Sequence, residues 1–367
     1  MAKPYAHELT LSFGALRAAA QLSQSIIGSR DKGTLEKDDL SPVTVADFAV
    51  QALLTATFAR AFPGDTIVGE EDASGLRENS TLLKRVWALL QGLDARLRQE
   101  CTLPSSPEHM CELIDLAGSS KPAITGRTWI FDPIDGTKTY LRGQLYAINI
   151  GLLVDGQQML GSIGCPNLSM EATAPLNNAD VDVEGGGCIV YAVRGQGAHV
   201  RSIRDGNLSR RLHAQQAAAA DEDGKDRTQA YRFVTCVSLV DSALDDRLHG
   251  EIAARLDAAA SFPGCDLVPW VLRWAALALG LGNTTVWVYK SRGRYAKVWD
   301  HAGAVLLFEE TGGKVTDVLG RDLNWTAGRK MERNFGFVAA AETAHAGVLA
   351  VVQQVLREKG HGDMLLL

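Results

Sequence analysis

The chain has 367 residues, 46% of them hydrophobic and 22% charged, with a formal net charge of −6. That is ordinary for a globular protein and long enough for two domains. The acidic balance argues against a nucleic-acid backbone as partner, since such proteins usually carry a basic patch, although local basic patches stay open.

Residues 1–28 read as an amphipathic helix carrying Glu8 and Arg17, without the continuous apolar run of a signal peptide. Helical segments continue in two pieces to about Arg60, the second opened by Ser41-Pro42-Val43-Thr44-Val45-Ala46-Asp47. A strand Thr66-Ile67-Val68 runs into Gly69-Glu70-Glu71-Asp72, and a more polar helical stretch follows from about Thr81 to Gln99. Cys101 to Arg127 holds Pro104, Pro107 and Pro122 and reads as an irregular insertion.

Trp129-Ile130-Phe131 then reads as the end of a buried strand whose ladder Pro133 stops, so Asp132 and Asp135 should emerge on a stiff turn at its edge. Magnesium prefers oxygen ligands in octahedral geometry, and two convergent carboxylates with the Ile134 carbonyl suit it. Gly136 lets the backbone approach a phosphate, and Thr137 adds a hydroxyl. The competing reading is a polar turn with an Asx cap before a helix. Asp47 and Asp300 also stand at apparent helix starts, where capping is the commoner role, and Glu70 follows a strand. Together with Asp132 and Asp135, they make a multi-metal site the better account.

Tyr146 to Val154 and Gly156 to Gly164 read as strands of a hairpin through Asp155-Gly156. A second pair flanks Gly195-Gln196-Gly197, and Leu212 to Arg227 is the linker candidate. Beyond it, Arg232 to Val237 reads as a strand, Leu244 to Ala259 and Pro269 to Gly280 as helices, and Thr284 to Tyr289 as a strand. Trp299-Asp300-His301-Ala302-Gly303 opens a helix running to about Thr311, followed by strands at Lys314 to Val318 and Phe335 to Ala339 and a closing helix to about Leu356. The Leu365 to Leu367 tail reads as frayed. This alternation indicates layered α and β structure, an α+β N-terminal domain (1–228) followed by an α/β C-terminal domain (229–367).

Six cysteines, at 101, 111, 165, 188, 236 and 265, show no C-x-x-C pair and read as free thiols. Trp270 to Leu281, the most apolar late stretch, is interrupted by Arg273 and too short to span a bilayer. A soluble, cytoplasmic monomer is expected.

From about Ser41 to Asp317 the chain resembles the inositol monophosphatase family, carried by Asp-Pro-Ile-Asp-Gly-Thr at Asp132 to Thr137 and Trp-Asp-x-Ala-Gly at Trp299 to Gly303. Within it the resemblance is to the fungal 3'(2'),5'-bisphosphate nucleotidases. It implies an αβαβα sandwich, the type shared with fructose-1,6-bisphosphatase, with the site between two domains. It further implies a lithium-sensitive phosphatase using two or three Mg2+ ions, held by Glu70, Asp132, the Ile134 carbonyl, Asp135 and Asp300. Asp47 and Thr137 would activate the attacking water, and Gly136 and Thr137 would cradle the phosphate. The implied substrate is adenosine 3',5'-bisphosphate (3'-phosphoadenosine 5'-phosphate, PAP). His301 would be a packed residue rather than the base.

The second half departs from that pattern. A histidine-containing segment after the first strand of the second domain is replaced by Val237-Ser238-Leu239-Val240-Asp241-Ser242-Ala243, and Pro269-Trp270-Val271-Leu272-Arg273-Trp274 stands where relatives carry a polar stretch with lysine. Trp287 falls where a pocket arginine is expected. Either Trp270, Trp274 and Trp287 pack between helix and sheet, or Trp270, Arg273 and Trp287 form an aromatic, singly charged substrate wall. Alternative readings are therefore a phosphatase of the same fold acting on an inositol phosphate or a less polar alcohol phosphate, and a non-catalytic phosphate or nucleotide sensor, which an intact ligand set disfavours.

Overall fold

The computed structural model describes residues 4–27, 34–36, 42–177, 179–183, 186–213, 231–236, 243–244, 246–256 and 267–366. The linker candidate falls almost wholly outside these residues, as do the 228/229 boundary, 237–242 of the replaced segment and Cys265.

The N-terminal part runs α1 (Ala6–Ile27), β1 (Leu35–Glu36), β2 (Pro42–Val43), α2 (Val45–Ala61), β3 (Thr66–Gly69), α3 (Ser74–Glu78), α4 (Ser80–Gln91) and α5 (Pro107–Ser119). Thr44 starts α2 through a capping box with Asp47, and Asn79 caps α4 by accepting from the Leu82 amide at 3.0 Å. The insertion expected to be irregular instead contains α5. Pro107 occupies the first turn, where its missing N–H costs nothing, and the Ser106 hydroxyl accepts from the His109 amide at 3.1 Å.

β4 (Arg127–Asp135), α6 (Thr137–Leu141), β5 (Ala147–Val154), β6 (Gln157–Cys165), β7 (Cys188–Val193), β8 (Ala198–Ser202) and β9 (Ser209–Arg211) follow. They join β3 in a seven-stranded sheet ordered β3 to β9, in which β3 and β4 are parallel and the other pairs antiparallel. Asp155 and Gly156 turn the β5–β6 hairpin at φ 50° and 75°, the left-handed geometry of its tight turn.

The remaining elements are α7 (Asp246–Arg255), α8 (Trp270–Ala278), β10 (Thr285–Trp287), a 3-10 turn (Val298–Asp300), α9 (Ala304–Glu309), β11 (Gly313–Thr316), β12 (Phe337–Ala341) and α10 (Glu342–Glu358). β10, β12 and β11 form an antiparallel sheet in that order, and Phe233 adds a parallel bridge to Thr284. The helix expected from Asp300 starts only at Ala304, because Gly303 at φ 85° interrupts it and leaves Asp300 in the 3-10 turn. Of the tail expected to fray, Leu365 instead ends a 3-10 turn (Gly362–Leu365).

Alternation along β4 explains the layering. Trp129 and Phe131 enter one core with α1 and α2, while Ile130 enters another with α8, α9 and the second sheet. α10 packs on β12 and α7 on α10, which completes an αβαβα sandwich. The five described thiols carry no disulfide, and among the described residues no helix is long and apolar enough to cross a membrane.

Candidate active site

A three-residue separation should send Asp132 and Asp135 to opposite faces of a strand. β4 avoids this with a bulge: Asp132 pairs with Asn149 and Asp135 with Ala147, so Pro133 and Ile134 together oppose Ile148 alone. The ladder therefore continues past Pro133 instead of stopping there, a correction to the expected turn. The proline's missing donor falls inside the irregularity, and both carboxylates leave on the side of α8 and the Asp300 turn.

Asp132, Asp135 and Asp300 bring one carboxylate oxygen each within 4.8 Å of one another. Asp132 is 1% exposed and Asp135 5%, whereas Asp300 is half-buried. Burial pushes the Asp132 carboxyl well above the usual carboxylate range, and the charges of Glu70, Asp135 and Asp300 push it further. Asp135 is raised by burial and then by Asp300, against backbone amides of α8 that pull it down. Three crowded carboxylates, two of them buried, need a compensating positive charge or protons. Asp132 Oδ1 is buried without a hydrogen-bond partner, an open oxygen that fits a cation and that a purely structural turn would not leave.

Glu70, at the end of β3, does not belong to that tight trio, yet it is near enough to act on Asp132. The Ile134 carbonyl lies 3.3 Å from the Thr137 hydroxyl, which also faces Asp47 Oδ1 at 3.5 Å. One hydroxyl proton thus has two acceptors. The second Asp47 oxygen accepts the Thr44 amide at 2.8 Å and its hydroxyl at 2.5 Å, so this buried aspartate both caps α2 and reaches the site. Gly136 adopts φ 86°, and a Cβ there would meet Pro269 at 2.2 Å, so only glycine lets the chain pass from β4 into α6.

Asp135 has a role that sequence reasoning missed. Its two oxygens accept the amides of Trp270 at 3.2 Å and Leu272 at 3.1 Å, capping α8 where Pro269 supplies no side-chain acceptor. Other supports were also missed. Asn149, opposite Asp132, donates to the carbonyls of Trp299 at 2.6 Å and Ala302 at 2.9 Å, and Gln158 accepts the Gly303 amide at 2.8 Å. Gly151 and Gly161 let the Asp300 turn lie directly on the sheet, since a Cβ would come within 2.5 Å of Ala302 O and 2.0 Å of Gly303 O, respectively. Gln51 accepts the Glu71 amide at 2.7 Å and donates to its carbonyl at 2.6 Å, fixing the Glu70 loop.

The expected substrate wall has a different arrangement. Arg273 and Trp287 are each 1% exposed and Trp274 is fully buried, leaving Trp270 half-buried as the exposed member. The Arg273 guanidinium stacks 4.1 Å from the Trp270 ring centroid and 4.9 Å from that of Trp287, donating to the Val268 carbonyl at 3.2 Å. Its Nε and Nη1 and the Trp287 Nε1 have no partner. His301 is packed, as expected: it accepts the Trp274 indole N–H at 3.0 Å, and burial holds its pKa well below the usual value, leaving the imidazole neutral.

Residues 6–357 match the inositol monophosphatase family. Over 362 residues the chain is 34% identical to the 3'(2'),5'-bisphosphate nucleotidase of Emericella nidulans, covering 96% of this chain and 99% of that one. It is also 34% identical over 362 residues to the same-named protein of Schizosaccharomyces pombe, covering 96% and 97%. An IMPase of Thermotoga maritima shares the fold at TM-score 0.58 and 19% identity, covering 96% of this chain and all of that one.

Proposed function

The chain belongs to the inositol monophosphatase family, and from that premise we propose that it is a magnesium-dependent phosphomonoesterase hydrolysing 3'-phosphoadenosine 5'-phosphate to AMP and phosphate. The observation that carries this reading is the convergent trio Asp132, Asp135 and Asp300, with an unpartnered oxygen on Asp132. Magnesium would be held by these three, with Glu70 and the Ile134 carbonyl. When bound, it supplies charge neutralisation for the phosphate and acidifies water.

The chain's own residues do the rest. The Thr137 hydroxyl passes its proton to Asp47 Oδ1 as it accepts one from the attacking water, and Thr44 keeps that aspartate oriented through its other oxygen. The substrate phosphate lies beside Gly136 and Thr137. Trp270 offers its partly exposed ring to the rest of the ester, with the Arg273 guanidinium over it and Trp287 edge-to-face against it to fix its angle. The burial of Arg273 favours a second reading for the substrate alone, a less polar alcohol phosphate, because the covered cation presents no charge to a 5'-phosphate.

The test is phosphate release, with magnesium, from PAP, 3'-phosphoadenosine 5'-phosphosulfate, inositol 1-phosphate, inositol 1,4-bisphosphate and apolar alkyl monophosphates. Preference for PAP supports the first reading, and preference for an apolar ester with PAP poor replaces it with the second.

A further inference from the structure

Arg329 is distant in sequence from every residue of the trio, yet it touches both sides of the site. Its guanidinium donates through Nη2 to the carbonyls of Gly69 at 2.7 Å and Glu70 at 3.1 Å, and through Nη1 to those of Ala117 and Ser120, each at 3.2 Å. The first two lie at the end of β3 and the last two at the C-terminus of α5. The carbonyls at the end of α5 have no partner within the helix, and a cation there also meets the negative end of its dipole. The two elements are already tight here, since a Cβ on Gly118 would lie 2.1 Å from the Glu71 carbonyl.

The other face of Arg329 belongs to the Asp300 side. Its guanidinium stacks 4.6 Å from the centroid of Trp299, the residue before Asp300. Its carbonyl accepts the Val298 amide at 3.0 Å, in the same 3-10 turn. Trp299 is only 4% exposed and its own carbonyl is held by Asn149, so the indole is a fixed platform. A planar guanidinium can span four carbonyls and lie flat on a ring at once, whereas an ammonium cannot.

We propose that Arg329 is a positioning residue that sets the Glu70 loop against the Asp300 turn, fixing the spacing between the Glu70 carboxylate and the aspartate trio. It touches no substrate, and its effect is on the affinity of the site for a divalent cation. The inference rests on the proposed magnesium site.

The test is magnesium binding to the full chain by calorimetry, with thermal melts alongside. Arg329→Lys keeps the charge and loses the fork, and should weaken magnesium binding about tenfold, the lower end of what residues supporting metal ligands contribute. Arg321→Lys, at a residue paired with Asp317 in the same half, is the control for general destabilisation and should leave the magnesium constant unchanged. A lowered melting temperature in Arg329→Lys with a magnesium constant within twofold of wild type would overturn the proposal, reducing Arg329 to a cap of α5. Wild-type protein that binds no magnesium would instead remove the site itself.

Hydrogen exchange on the unsubstituted chain gives a second reading that needs no variant. Magnesium should slow exchange at 117–120 and 327–330 together with 69–72. Protection confined to 69–72 and 132–135 would also overturn the proposal.

Discussion

Gly161→Ala probes how closely the Asp300 turn must lie on the central sheet. The new Cβ would stand 2.0 Å from the Gly303 carbonyl oxygen and 2.7 Å from its carbon, whereas real Cβ contacts essentially never fall below 3.0 Å. β6 cannot retreat, because it is paired with β5 on one side and β7 on the other. The turn must therefore lift by about 1 Å, carrying Asp300 with it and pulling against Asn149 and Gln158. A misplacement of about 1 Å at a reacting centre costs on the order of 100-fold in rate, or about 2.7 kcal/mol of transition-state stabilisation. The overpacking itself costs about 1–3 kcal/mol of stability, which a chain of this size should survive. The assay is kcat/KM for phosphate release at saturating magnesium, with a thermal melt. Gly64→Ala serves as control, since nothing lies within 4 Å of the position its Cβ would take. A Gly161→Ala enzyme within threefold of wild type would refute the reasoning that seats Asp300 on this strand.

Asp47→Asn keeps an oxygen for the α2 cap, so stability should change by no more than about 1 kcal/mol. Loss of the proton acceptor should lower kcat by about 100-fold or more with KM little changed, measured by steady-state kinetics. Arg273→Met removes the cation between the two indoles and should raise KM for PAP several-fold at little changed kcat; an unchanged KM would leave Arg273 as core. The pH dependence of stability follows from the raised Asp132 and Asp135 carboxyls. Groups raised in the folded state stabilise it most below their unfolded pKa of about 4, and that contribution is lost as pH rises through the folded values. Metal-free protein should therefore lose about 1.4 kcal/mol per pH unit for each proton retained across that range, and magnesium should flatten the slope. Melts at several pH values, with and without magnesium, check this.

What the sequence revealed and what it hid divide along a physical line. Asp132, Asp135 and Asp300, which the structure brings together, and Asp47 were legible as candidates from carboxylates at apparent strand ends and helix starts. The bulge that aims Asp132 and Asp135 the same way was not, because it appears only in the register of β4 against β5. α5 was hidden by the prolines of its segment, one of which, Pro107, is its favourable first residue. Asn149, Gln158 and Arg329 act on carbonyls and amides far away in sequence, contacts that no local pattern encodes. Arg273 read as a pocket cation because it stands where relatives carry a lysine; the aromatic rings beside it cover it.

The most direct test of the central claim is magnesium-dependent phosphate release from PAP by the wild-type chain and by Asp132→Asn. The neutral amide removes charge from the trio at its most buried member. The account predicts turnover in the wild type that requires magnesium, and loss of at least about 100-fold in a variant that still folds and melts cooperatively. Near-normal hydrolysis by Asp132→Asn, or wild-type hydrolysis indifferent to magnesium, would contradict it.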